Sequence, residues 1–320
     1  MDFMNNLRLV FGDNMLGVHG DGFSYLFSYF SGPDSLVIKG KEWLYRSPRP
    51  TFWRALTDND RGNRFHLRSG MWLAADIFIK YVECKVWMDE VALGMPIAPH
   101  NNAYTGKETA ETVKLVYTYE TITVPSTQVE VAYEVNVSGE ILVSVHYHGK
   151  EGLPQLPLFG MRFIMPTKAV GYEYEGLSGE TYPDRMAGGI PGIYHVDGLP
   201  VTPYMVPQDC GMHMDTKWLK VVRNNTLSNV DKSKEQFALC FEAVEKNFAF
   251  ACLPYTAQEL ESATHHEELP PARRTVVTIL GAVRGVGGMD SWGADVEPKY
   301  HISGERDITY AFKIKAGEVE

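Results

Sequence analysis

A chain of 320 residues is long enough for two ordinary domains or one large β-sandwich, and 44% hydrophobic with 22% charged residues excludes a disordered polymer. A formal net charge of −10, with no cluster of Lys and Arg, argues against nucleic acid and anionic membranes as partners. No apolar run approaches the roughly 20 residues of a membrane helix, and the start at Met1 shows neither a basic nor an apolar leader region, so no secretion signal is expected.

In chain order, short strands are predicted over 7–11, 25–29 and 36–38. Residues 54–63 (RALTDNDRGN) then crowd carboxylates, amides and guanidiniums around Gly62. Asp58, Asn59 and Asp60 suit a loop facing sugar hydroxyls or a hard cation. The plainer reading is an Asx-rich turn bonded to its own backbone, and the full calcium-loop pattern is missing. Residues 69–79 carry the best helical stripe, with Met71, Trp72, Ala75, Ile77 and Phe78 following a Ser cap.

Strict alternation follows, and it is the strongest structural signal. Val113, Leu115, Tyr117 and Tyr119 are answered by Val129, Val131, Tyr133, Val135 and Val137; after Ser138-Gly139 come Ile141, Val143, Val145 and Tyr147. Period two sends successive side chains to opposite faces, as adjacent antiparallel strands require. His146 and His148 share one face of the last of these strands, a start for a metal site. No third ligand is suggested nearby, so a solvated face is preferred and no metal is expected on this chain.

Further strands are predicted over 159–164, 237–241, 275–283 and 308–314, with a short helix inside 254–264 that turns Glu259 and Glu261 outward. Within GLSGETYPDR (176–185), Glu180 and Asp184 offer a carboxylate pair for acid–base work; a fixed turn with an Asp184–Arg185 ion pair is preferred. In RGVGGMDSWG (284–293), the glycines permit a tight turn or close approach to a ligand. A phosphate cradle would have to open a helix there, so Trp292 reads either as a platform for a pyranose face or as packing at a sandwich edge. His265-His266-Glu267-Glu268 reads as a polar loop. No Gly-x-Ser-x-Gly elbow, His-Glu-x-x-His or P-loop occurs.

Cys84, Cys210, Cys240 and Cys252 form no Cys-x-x-Cys pair, so no zinc site or disulfide framework is indicated and a reducing cytoplasm is the simplest compartment. No linker, repeat or low-complexity stretch divides the chain. The expected fold is all-β: one large antiparallel β-sandwich over 1–320, with one or two short helices.

Together, RALTDNDRG (54–62), GLSGETYPDR (176–185), VPQDCG (206–211) and GGMDSW (287–292) occur in the order and approximate spacing of the C-terminal domain of large β-galactosidases, in glycoside hydrolase family 2. The chain resembles the small subunit of heterodimeric bacterial β-galactosidases. That resemblance implies a galactose-mutarotase-like supersandwich and retaining hydrolysis of terminal β-galactosides such as lactose. It also implies a large partner subunit whose TIM barrel carries both catalytic carboxylates and the Mg2+ ligands, so no catalytic residue and no cofactor is expected here.

By the same resemblance, Trp292 lines the aglycone side of the site, while Asp290 and Ser291 shape the turn presenting it. Asp58, Asn59, Asp60 and Gly62 belong to an active-site loop, with Gly62 the hinge of a mobile segment over 63–68. That segment's composition departs from the family pattern, and Met289 replaces a more usual acidic residue. The 182–185 stretch is expected to form a structural corner near the partner, and Trp53, Trp72 and Trp292 to expose apolar surface for it. Two other readings remain. An autonomous mutarotase-type enzyme would need His146, His195 or His213 to converge with Glu180; a non-enzymatic carbohydrate-binding module would need neither partner nor catalyst.

Overall fold

Alternation decides the architecture. Val113, Leu115, Tyr117 and Tyr119 are buried and lie opposite Val135, Tyr133, Val131 and Val129 in antiparallel register. Strand Ile141–Tyr147 continues the ladder beyond Gln128–Asn136. The computed structural model describes residues 6–94 and 107–319; residues 1–5, read above for a leader, lie outside them.

Among the described residues the strands form three antiparallel sheets of ten, six and five. The ten-stranded sheet runs from Pro191–Asp197 at one edge, through Ile308–Gly317, to Val91–Gly94 at the other. The six-stranded sheet, built mainly from residues 7–42, covers one half of its inner face. Phe27 meets Tyr133 at 6.0 Å between rings, and the Tyr25 and Tyr117 hydroxyls donate across to the Gly139 and Ser28 carbonyls at 2.7 and 2.8 Å. The five-stranded sheet, ordered Met212–Thr216, Phe248–Leu253, Thr275–Val283, Leu158–Met165, Arg46–Thr51, covers the other half, where Phe163 packs on Phe241 and Phe312. One apolar cluster runs through all three sheets. The all-β sandwich expected from the sequence is the fold observed.

The five-stranded sheet differs in being covered on both faces. Phe248–Leu253 and Leu158–Met165 are buried at every position. Their outer face lies under two smaller apolar groups, one including Tyr182, Met212 and Leu280, the other Ala55, Cys210, Leu253 and Leu260. Strands buried on both sides lose their alternation, which hides Phe248–Leu253 from a period-two reading. Arg46–Thr51 (RSPRPT) is hidden for the opposite reason, since its two prolines are tolerable only because it forms the sheet's edge.

Among the described residues three short α-helices appear: α1 (Asp58–Gly62), α2 (Phe65–Ser69) and α3 (Ala257–Ser262). The helix expected over 69–79 is not among them. Residues Gly70–Trp72 make a single 3-10 turn, and Ala74 then enters the left-handed region at φ 62° and stops helical growth. Of the expected apolar stripe only Trp72 and Ala75 are buried, while Met71, Ile77 and Phe78 are exposed. The expectation that Trp53 and Trp72 are exposed is overturned: both are core residues. In α3, Glu259 faces outward, but Glu261 turns inward to accept the Leu56 backbone N–H at 2.7 Å.

Trp72 stacks on Phe52 (5.4 Å, 20°), meets Tyr147 edge-on at 6.1 Å and donates Nε1–H to the Pro154 carbonyl. Trp72→Ala should therefore cost about 3–5 kcal/mol in denaturant unfolding. A loss below about 1 kcal/mol would mean that the ring is not packed as described.

Candidate functional site

The four motifs far apart in sequence meet at one rim, and the meeting point is a buried charge. Thr57 caps α1: its hydroxyl accepts the Asp60 N–H at 3.2 Å, and the Asp60 carboxylate accepts the Thr57 N–H at 3.0 Å. This reciprocal box leaves Asp60 facing inward. There Arg54 grips both its oxygens, at 2.5 and 3.3 Å, and Arg284 approaches one of them at 3.4 Å. All three side chains are essentially inaccessible. Burial alone would raise the Asp60 pKa, but the Arg54 guanidinium and the Thr57 bonds hold it below the usual carboxylate range. Burial alone would likewise lower Arg54, yet Asp60 and then Asp209 carry it above its ordinary value. The ion pair stays charged.

Arg284 extends the network to Asp295, whose carboxylate also takes bonds from Asn63 (3.3 Å) and Arg68 (3.0 Å). The guanidinium of Arg284 lies 4.2 Å over the Phe65 ring, so α2 is tied down from beneath. Residues 63–68, expected as a mobile loop, thus include most of a helical turn anchored by Phe65 and Arg68. Gly62 adopts ordinary helical backbone; its carbonyl would lie 2.8 Å from a Cβ placed on Gly293, so Gly293 must lack one, as its φ of 86° also favours.

The second motif holds the glycine loop from the other side. Asp184 accepts the backbone N–H groups of Val286 and Gly287 at 2.9 and 2.7 Å, and Arg185 donates to the Gly287 carbonyl. The local Asp184–Arg185 ion pair expected from sequence is absent among the described residues, because each side chain is engaged by backbone across the gap. Asn59 donates to the Val286 carbonyl at 3.0 Å, and a Cβ on Gly288 would meet Asn59 Nδ2 at 2.7 Å. From the third motif, Gln208 accepts the Asp58 N–H at 2.9 Å, while Asp209 accepts the Tyr182 hydroxyl at 2.8 Å.

On this base stands Trp292. Asp290 accepts the Trp292 and Ala294 N–H groups at 3.0 and 3.1 Å, bonds that hold its pKa below the ordinary value and close the turn. The Trp292 side chain is left 91% exposed. Ser291 and Asp58 are exposed; Asp58 pairs with Arg61 at 3.1 Å, and Asn59 is half-buried. The fixed backbone with a free indole is a surface able to stack on a flat apolar face.

Other sequence candidates do not converge. Glu180 is exposed and accepts from Thr202 at 3.2 Å. His213 is buried, stacked on Phe250 at 4.7 Å and bonded to Tyr172, and desolvation lowers its pKa to about 4. His195 pairs with Asp197, and His265 with Glu268. His146 and His148 do gain a neighbour that sequence missed, Glu130, from the adjacent strand. No helix among the described residues is long and apolar enough to cross a membrane.

The sequence matches a family model described as Beta galactosidase small chain over residues 19–314. It is 60% identical over 309 residues to the β-galactosidase small subunit of Latilactobacillus sakei, covering 96% of this chain and 97% of that protein. A β-galactosidase of Halalkalibacterium halodurans is 33% identical over 316 residues, covering 96% of this chain but 28% of that protein. The chain thus spans nearly all of the first relative and little more than a quarter of the second. Among solved structures, a galactose mutarotase-like protein from Lactobacillus casei ATCC 334 superposes with TM-score 0.42 at 8% identity, covering 95% of this chain and all of that one.

Asp60→Asn keeps the shape but deprives the buried Arg54 guanidinium of its bonded carboxylate, and should cost about 3–5 kcal/mol in denaturant unfolding; a near-neutral variant would dissolve the network described. Asp209 offers a pH test. Desolvation pushes its carboxyl up to about 7 against the pull of Arg54, so its stabilising contribution is complete below the unfolded value near 4 and is lost as pH rises through 7. Asp209→Asn should therefore flatten the fall in Tm between pH 5 and 8. An unchanged slope would show that Asp209 is ionised throughout.

Proposed function

Because this chain belongs to the β-galactosidase small-chain family, we propose that it completes the galactoside cleft of a two-chain enzyme whose bond-breaking carboxylates lie on a large partner subunit. The observation that carries this reading is the 91%-exposed Trp292 indole, presented on a loop that Asn59 of the first motif and Asp184 of the second anchor from beneath. Retaining hydrolysis requires an acid/base carboxyl and a nucleophilic carboxylate about 5 Å apart. The acids near this rim are otherwise engaged: Asp60 and Asp295 in ion pairs, Asp184 and Asp290 on backbone N–H groups. None is assigned a catalytic role.

In this division of labour, Trp292 stacks on the aglycone side of a terminal β-galactoside such as lactose. Asp290 and Ser291 set the turn that aims it. Asp58 and Asn59 give the neighbouring edge its polar character, while Asp60 and Gly62 act through the shape of the loop. The Mg2+ of the reaction belongs, in this reading, to the partner's barrel. Leu67, Met205 and Met289, each prominently exposed on segments bordering the rim, suit apolar contact with that partner. Four free cysteines fit a cytoplasmic enzyme.

Lactose hydrolysis should be negligible for each purified subunit and restored by co-expression of the pair. Robust turnover by the 320-residue chain alone would refute the assignment. With the partner present, Trp292→Ala should leave assembly and Tm unchanged, since the side chain packs on little, and raise KM about five- to tenfold through loss of stacking. Unaltered kinetics in a normally assembled variant would remove the role given to Trp292. Galactoside affinity in the isolated chain without any partner requirement would instead favour a binding module.

A further inference from the structure

On the outer face of the ten-stranded sheet, far in sequence from the rim, antiparallel pairing sets Glu130 of strand Gln128–Asn136 directly opposite His146 of strand Ile141–Tyr147. His148 follows two positions later, and its backbone N–H bonds the Gln128 carbonyl at 3.0 Å. The two imidazole rings lie 3.9 Å apart, tilted by 38°. Glu130 Oε2 is 3.0 Å from His148 Nε2 and 3.8 Å from His146 Nδ1. One ligand atom from each of the three residues fits within 4.8 Å of the others. Nitrogen and oxygen donors around zinc sit near 2.0–2.2 Å from the metal, so tetrahedral sites hold them roughly 3.3 Å apart, within the range seen here.

A second observation distinguishes this cluster from an ordinary polar patch. The far nitrogen of His146, Nε2, is bonded to Asp307 at 3.0 Å, and Asp307 is itself fixed by the Gly149 N–H at 2.8 Å. A carboxylate on the remote ring nitrogen fixes the tautomer that leaves Nδ1 free as a donor, and this is the usual outer support of a metal-bound histidine. The ligands ride on paired strands, so little ordering is needed on binding.

We propose that Glu130, His146 and His148 form a site for a divalent transition metal of the zinc type. Asp307 positions His146, and a water fills the fourth, outward position. The site is separate from the Trp292 rim and takes no part in the lactose chemistry assigned above. Mixed imidazole and carboxylate donors favour zinc over magnesium or calcium, which take all-oxygen sets.

The test uses the full chain, stripped of metal with a chelator and titrated with Zn2+ against a chromophoric competitor, and with Co2+ read by its visible absorption. One equivalent should bind, with the cobalt spectrum of a four-coordinate centre. The double variant His146→Ala/His148→Ala should lose this binding by at least about a hundredfold, and Asp307→Asn should weaken it by about ten- to a hundredfold. These side chains are surface-exposed or half-exposed, so circular dichroism should show the variants folded. Absence of stoichiometric binding, a six-coordinate cobalt spectrum, or binding that survives in the double variant through other histidines or cysteines would overturn the proposal.

Discussion

The local geometry around the rim depends on one buried carboxylate held between two guanidiniums. Asp60 cannot leave Arg54 and Arg284 without stranding charge in a region closed to water, where an unpaired ion is costly. Arg54 leads into α1, and Arg284 follows directly on a central strand of the five-stranded sheet. The ion cluster therefore fixes the start of the helix relative to the start of the glycine loop. The close approaches at Gly288 and Gly293 are consequences of that fixed distance. So is the exposure of Trp292, because the loop is secured through backbone and carboxylates and does not need the indole for its own packing.

Much of the sandwich was legible where one sheet face is solvated. From residue 112 to 147 the inward positions read from sequence are the buried ones except Val137, which lies just past the end of its strand and is exposed, and the register follows from the Ser138-Gly139 turn. Legibility failed where physical circumstances removed the period. Phe248–Leu253 is covered on both faces, and Arg46–Thr51 is a proline-bearing edge. Over residues 69–79 only Trp72 and Ala75 of the expected stripe face inward, because a left-handed residue at Ala74 broke the helix that should have carried it.

At the rim, the sequence marked which segments matter but not how they are wired. Asp184 and Arg185 look like a local pair because they are neighbours, and each instead reaches across to the 286–287 backbone. Asp60 looks like a ligand for sugar or cation, and its carboxylate points into the protein. The partners of Asp184 and Arg185, and the Arg284 that closes on Asp60, come from residues more than a hundred positions away, beyond the reach of local spacing. Glu130 is the contrasting case. Counting outward from the Ser138-Gly139 turn places it opposite His146, so the third member of that cluster was within reach of sequence reasoning once the hairpin had been recognised.

The isolation of one indole has an optical consequence. Of the six tryptophans, Trp292 alone is exposed; the other five are buried or half-buried. An indole so exposed should emit as a water-bathed chromophore, at longer wavelength than the buried rings and open to dissolved quenchers. Any surface that closes over the rim must change that signal first, so the chain carries an intrinsic, label-free gauge of what covers this edge and when.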